Sequence, residues 1–108
     1  MKRCEAEAAI SEYKERLSHK LGDNLIVAKL FGSVARGTDT PESDIDILVL
    51  LEDVDERTRD EIVEATVDVN VEHDVVICPV VMTATEYKFS LFQETSFYQA
   101  IEREGIVL

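Results

Sequence analysis

The stretch that decides the fold is GSVARGTDTPESDID, residues 32–46, which separates two apolar runs. The first run, residues 25–31, reads LIVAKLF, and the second begins inside the stretch and reads DIDILVLL over residues 44–51. Short runs of branched apolar residues, bounded by Gly, Pro and Asn, are typical of buried strands. We therefore predict one strand, a turn-rich connection and a second strand.

The flanking sequence predicts helices around these strands and one further strand. In chain order the predicted elements are a helix over residues 2–21 ended by Gly22, strands over 25–31 and 44–51, a helix capped by Asp53 that runs to about Val71, a strand over 74–82, and short helices that begin at Thr83 and Ser96, the last ended by Gly105. Pro79 lacks a backbone donor, which predicts an edge position or a bulge for the third strand. The predicted fold class is therefore α/β (α+β), with helices packed on a small mixed sheet of three or slightly more strands.

The composition indicates one acidic domain over residues 1–108. Its net charge of −12 argues against direct contact with naked nucleic acid or with an anionic membrane. No apolar run reaches 18 residues, and three glutamates among the first twelve residues replace the apolar stretch of a signal peptide, so we predict a cytoplasmic protein. Cys4 and Cys78 are predicted to be reduced structural thiols. His19 and His73 are predicted to face solvent.

Asp44 and Asp46 are the strongest candidates for chemistry. Strand side chains alternate between faces, so both carboxylates point the same way, roughly 7 Å apart. Asp46 also lies within an apolar strand, where an unpaired carboxylate is costly. Mg²⁺ prefers oxygen ligands and combines carboxylates with substrate phosphates, and two such ions can clamp the oxygens of a phosphoryl transfer. We therefore predict a magnesium site with two ions on this strand.

Gly32 and Ser33 lie where the first strand ends and a short helix is predicted to begin. Glycine lets the backbone approach a phosphate closely, and a helix N-terminus presents free N–H groups to an anion. Ser33 adds a hydroxyl group, and Arg36, one helical turn later, can reach a phosphate. In the alternative interpretation, Arg36 forms a surface ion pair with Asp39 or Glu42.

The pattern of Gly-Ser, ten residues and Asp-x-Asp resembles the minimal nucleotidyltransferases of the DNA polymerase β superfamily. The resemblance covers about residues 25–82, the predicted catalytic core. It implies the polymerase β-like nucleotidyltransferase fold and the Mg²⁺-dependent transfer of a nucleoside monophosphate, AMP where the donor is ATP, to a hydroxyl group with release of pyrophosphate. It also implies these nucleotide-binding residues: Gly32, Ser33, Arg36, Gly37 and Ser43.

The same family has a third acidic residue on a later strand, and two residues compete for this role. Asp68 falls inside a predicted helix, where a solvated surface charge is the simpler interpretation. Asp74 is predicted to open the third strand, which can lie beside the strand of Asp44 and Asp46. We therefore predict that Asp74 is the third catalytic and metal-binding carboxylate.

The acceptor site is expected to come from a partner protein or a second copy of the chain, because 108 residues leave no room for a separate acceptor domain. The resemblance implies that the partner is a small all-helical toxin of the HEPN class and that the chain acts as its antitoxin by attaching AMP to a tyrosine. The charge of −12 fits a basic partner. Two alternatives remain: a binding module that neutralises a partner without catalysis, and a transferase that acts on a small molecule.

Overall fold

The computed structural model describes residues 3–38 and 44–108. The helices of this part are α1 (Arg3–Leu21), α2 (Gly32–Arg36), α3 (Glu56–His73), α4 (Ala84–Lys88), α5 (Ser90–Gln93) and α6 (Ser96–Glu104), with a 3₁₀ turn over Gly22–Asn24. The strands are β1 (Leu25–Phe31), β2 (Ile45–Leu51), β3 (Ile77–Thr83) and β4 (Ile106–Val107). The predicted mixture of helices and strands is confirmed.

The four described strands form one mixed sheet in the order β3-β2-β1-β4. Strand β1 runs antiparallel to both β2 and β4, whereas β2 and β3 run parallel. Strand β4 was not predicted, because two residues after Gly105 are too short a run to show any periodicity. Strand β3 lies at the edge of this sheet, which confirms the first of the two alternatives predicted from Pro79, an edge position or a bulge.

Alternation along β2 divides its side chains between the two faces of the sheet. One set is fully buried in the core formed with α1 and α3: Ile45, Ile47, Val49 and Leu51. Leu48 and Leu50 point the other way, into a second core with Tyr87 of α4 and Ile101 of α6. Asp46 lies two residues before Leu48 and therefore shares the face that α4, α5 and α6 only partly cover.

Helix α1 packs on α3 through a buried apolar stripe and an outer layer of ion pairs. Tyr13 and Leu17 are fully buried, as their spacing predicted, and the Tyr13 and Thr66 hydroxyl oxygens lie 2.8 Å apart. Arg16 forms ion pairs with three carboxylates, those of Glu12 at 3.2 Å, Asp68 at 3.3 Å and Glu72 at 3.0 Å. The prediction that His73 faces solvent is wrong, because its ring lies mostly buried in this layer with Nε2 3.4 Å from Glu12.

Two helices begin at other residues than predicted. Helix α3 is capped by Asp55, whose carboxylate accepts a hydrogen bond from the N–H group three residues later at 2.7 Å. Asp53, the predicted cap, instead exchanges two hydrogen bonds of 2.9 Å with the Asn24 side chain through its backbone. Helix α6 is capped by Thr95 rather than by Ser96. No helix within the described ranges is long and apolar enough to span a membrane.

Candidate active site

Asp44 and Asp46 lie at the start of β2, on the sheet face that carries α4, α5 and α6. Asp46 is half-buried, whereas Asp44 is exposed. Burial, followed by the neighbouring charge of Asp44, raises the pKa of Asp46, and Arg36 lowers it. Neither aspartate forms an ion pair with a described residue. Two carboxylates that repel each other at the edge of solvent are suited to bind a divalent cation.

Gly32 lies directly against this pair. Its φ of +78° is in the left-handed region that residues with a Cβ rarely adopt. A Cβ atom added to Gly32 would overlap Oδ2 of Asp46. The two residues are brought together because β1 pairs antiparallel with β2 and places Phe31 opposite Asp46. The first turn of α2 and the Asp46 carboxylate therefore meet without any intervening side chain.

Helix α2 begins at Gly32, and no side chain caps its N-terminus. Its first N–H groups therefore lack partners within the helix, and half-buried Ser33 lies in that first turn. Gly37 ends α2 with a φ of +76°, and its N–H group bonds to the Ser33 carbonyl oxygen. Glycine at this position is required by the end of the helix, and the predicted contact of Gly37 with nucleotide stays a prediction.

Arg36 forms an ion pair with Glu104, the last residue of α6, at 3.1 Å. The charge of Arg36 also reaches Asp46, whose pKa it lowers. The pair therefore holds a cation beside the aspartates and ties α2 to α6. Sequence reasoning named Asp39 and Glu42 as candidate partners of Arg36, and these two residues lie outside the described ranges. Ser43, a predicted nucleotide-binding residue, also lies outside them.

Cys78 is a site residue that sequence reasoning missed. The parallel pairing of β2 with β3 places Cys78 opposite Asp46, so their side chains project from the same face. Burial, the charge of Asp44 and a hydrogen bond with Asp44 raise the pKa of the Cys78 thiol. Only the pairing register shows this proximity, because nothing in the spacing between residues 46 and 78 fixes which strand residues face each other.

The prediction that Asp74 opens the third strand is wrong. Asp74 ends α3 with a left-handed backbone, φ 51° and ψ 50°, and its N–H group bonds to the Asn70 carbonyl oxygen. Asp is one of the few residues that adopt this conformation readily, and β3 begins only three residues later. The charges that shift the pKa of Asp46 do not include Asp74. Its role as a third carboxylate stays a prediction, whereas Asp68 is paired on the α1 side of the sheet.

A second group of potential metal ligands lies between α1 and α3. Its members are Glu12, Glu72 and His73, whose ligand atoms all lie within 4.8 Å of one another. The Arg16 guanidinium pairs with both carboxylates, at 3.2 Å and 3.0 Å. Because Arg16 already supplies the positive charge there, we interpret this group as part of the interface between the two helices.

Comparisons of the sequence with known proteins point to the same chemistry. A profile of the nucleotidyltransferase domain family matches residues 10–108. Two proteins of Methanocaldococcus jannaschii, each named a candidate protein adenylyltransferase, are similar over nearly their whole length. One is 32% identical over 98 residues, which are 90% of this chain and 92% of the relative. The other is 36% identical over 102 residues, which are 94% of this chain and 96% of the relative.

Comparison of the fold with solved structures finds a chain in a crystal structure of a toxin-antitoxin with AMP-PNP. The two chains superpose with a TM-score of 0.60 and are 25% identical. The match covers 88% of this chain and 68% of the other. The described fold, with its four-stranded mixed sheet, is thus the fold of a chain that was crystallised with a nucleotide analogue.

Proposed function

This chain belongs to the nucleotidyltransferase domain family, and from that premise we propose that it transfers AMP from ATP to a hydroxyl group of a partner protein. The observation that carries the proposal is the contact between Gly32 and Asp46. It joins an uncapped helix N-terminus, which suits a phosphate, to a pair of carboxylates, which suits a divalent cation.

Asp44 and Asp46 would hold Mg²⁺, and two ions are the expected number. The raised pKa of Asp46, caused by burial and by Asp44, supports a cation at this position, because a cation removes the repulsion that the two carboxylates otherwise retain. Mg²⁺ bound there would neutralise phosphate charge and stabilise the oxygens that exchange at phosphorus. The Cys78 thiol completes the edge of the site next to Asp44.

The triphosphate would bind at the first turn of α2. Gly32 leaves its backbone open to the ligand, Ser33 offers a hydroxyl donor, and the unpaired N–H groups of the turn supply further donors. Arg36 would contact a phosphate oxygen after its carboxylate partner Glu104 is displaced. Ser43 and Gly37 remain part of the proposal as additional contacts to the nucleotide.

The acceptor is proposed to be a tyrosine hydroxyl of a HEPN-type toxin, which would make the chain its antitoxin. The names of the two archaeal relatives, which describe transfer of AMP to protein, and the toxin-antitoxin neighbour support this choice. The net charge of −12 suits a basic partner. The alternative is a binding module that neutralises the same partner by complex formation alone.

The decisive experiment incubates the chain with ATP, Mg²⁺ and the protein encoded by the neighbouring gene, and then measures the intact masses of both proteins. We expect the partner to gain one or more AMP units, and we expect no gain in EDTA or with the Asp46→Asn variant. A stable complex without any gain of mass would favour the binding module. No gain and no complex would refute both the transfer and the antitoxin role for that partner.

A further inference from the structure

An aromatic surface borders the carboxylate pair on the side of α6. Phe31, the last residue of β1, lies opposite Asp46 in the register of β1 and β2, and directly opposed residues project from the same face of a sheet. The Phe31 ring meets the Phe97 ring edge to face, with centroids 5.4 Å apart and planes at 81°. Phe97 therefore packs directly on the residue that lies opposite Asp46 in the sheet.

Phe97 is fixed in place but remains open to solvent. Phe92 also packs on it, with ring centroids 6.1 Å apart, yet 39% of Phe97 stays exposed. Residues 97, 101 and 104 fall on one face of α6. Along this face Ile101 is buried in the core, and Glu104 binds Arg36. The helix thus carries the Phe97 ring at one end, against Phe31. At the other end it carries the Glu104 carboxylate, paired with Arg36, whose charge acts on Asp46.

An exposed ring held rigidly beside a phosphate site is suited to stack an aromatic ligand. We propose that the Phe97 ring stacks the purine base of the bound nucleotide, an inference that rests on the proposed nucleotide site. Phe31 packs against the Phe97 ring and holds it in place, and the first turn of α2 binds the phosphates at the other end of the nucleotide. Because stacking uses the face of a base and not its edges, Phe97 distinguishes little between ATP and GTP.

The test compares two ligands that share the phosphates but differ in the base, namely ATP and tripolyphosphate, each with Mg²⁺. Calorimetric titration of the full chain is done for the wild type, Phe97→Ala, Phe97→Leu and Phe89→Ala. Phe89 is the matched control, because it is 56% exposed and forms no ring contact with the described residues. Urea denaturation of each variant shows that the fold is retained, and Phe97→Leu keeps the apolar packing should Phe97→Ala unfold.

We expect both Phe97 variants to weaken Mg²⁺–ATP binding, the alanine variant by about tenfold or more, and to leave tripolyphosphate binding within about twofold. Phe89→Ala should change neither affinity. Equal loss for both ligands, or no loss for ATP, would overturn the stacking role while leaving the proposed transfer in place. A wild-type chain that binds neither ligand would overturn both proposals.

Discussion

Replacing Gly32 with alanine, beside a matched control, distinguishes an effect on the geometry of the site from a general loss of stability. The change adds one methyl group at a residue with φ +78°, where that methyl overlaps the Asp46 carboxylate. Gly22 is the matched control, because it also has a positive φ, +54°, but a Cβ there meets no atom within 4 Å. Both variants introduce backbone strain, and only one of them moves a proposed metal ligand.

The two costs can be assigned separately. Alanine in a left-handed conformation costs about 1–2 kcal/mol, so both variants should lose that much unfolding free energy. The colliding atom is the tip of the Asp46 side chain, which can rotate away, and an off-rotamer side chain adds only about 0.5–1.5 kcal/mol. The displaced carboxylate no longer aligns with the turn of α2. We therefore expect Gly32→Ala to bind Mg²⁺–ATP at least about tenfold more weakly, or 1.4 kcal/mol.

The assay measures urea denaturation and calorimetric binding of Mg²⁺–ATP on the same preparations. Gly22→Ala should be destabilised but bind ATP with unchanged affinity. Gly32→Ala should be destabilised by about 0.5–1.5 kcal/mol more than Gly22→Ala and should lose binding. If Gly32→Ala binds ATP as the wild type does, the contact with Asp46 does not shape the site. If Gly22→Ala loses affinity as well, strain in general, and not this contact, governs binding.

Three further outcomes follow from the described contacts. Asp46→Asn should abolish AMP transfer but be at least as stable as the wild type at pH 7, because burial and Asp44 raise the pKa of Asp46 and so make its ionised form costly in the folded state. The wild type regains stability as the pH falls through that raised pKa toward about 4. Urea denaturation at several pH values should therefore show the stability difference between variant and wild type shrinking as the pH falls. Tyr87→Phe removes the 2.7 Å hydrogen bond to Glu102 and should cost about 1 kcal/mol of unfolding free energy, with ATP binding unchanged. Asp74→Asn should keep its stability, since Asn also adopts a left-handed conformation, and should stop transfer in a single-turnover assay; unchanged transfer would exclude Asp74 as the third carboxylate.

The central strands and the carboxylate pair could be predicted because their signals are local. Strand β1 begins and ends where the apolar run does, and β2 begins one residue later than predicted. The face shared by Asp44 and Asp46 follows from strand alternation alone. The position of Gly32 at the junction of strand and helix also follows from the residues beside it, so this half of the site could be predicted without any tertiary information.

The remaining parts depend on tertiary contacts or on competition between equivalent residues. The segment from Val67 to Val81 is rich in valine, which suits either a helix or a strand, and only the left-handed Asp74 marks the boundary. Thr95 and Ser96 can both cap a helix, and the sequence does not choose between them. Glu104 reaches Arg36 across 68 residues of chain, a contact that no local pattern encodes.

The contact between residue 32 and residue 46 also constrains the order in which this site can decay. While an aspartate occupies position 46, a side chain at position 32 collides with it, so substitutions of the glycine are removed by selection for as long as the carboxylate is needed. Loss of the carboxylate has no such precondition, since a shorter residue at position 46 leaves Gly32 undisturbed. A lineage that abandons catalysis should therefore change position 46 first and position 32 afterwards. A descendant with a side chain at position 32 and an intact aspartate at 46 would carry that carboxylate turned away from the first turn of α2.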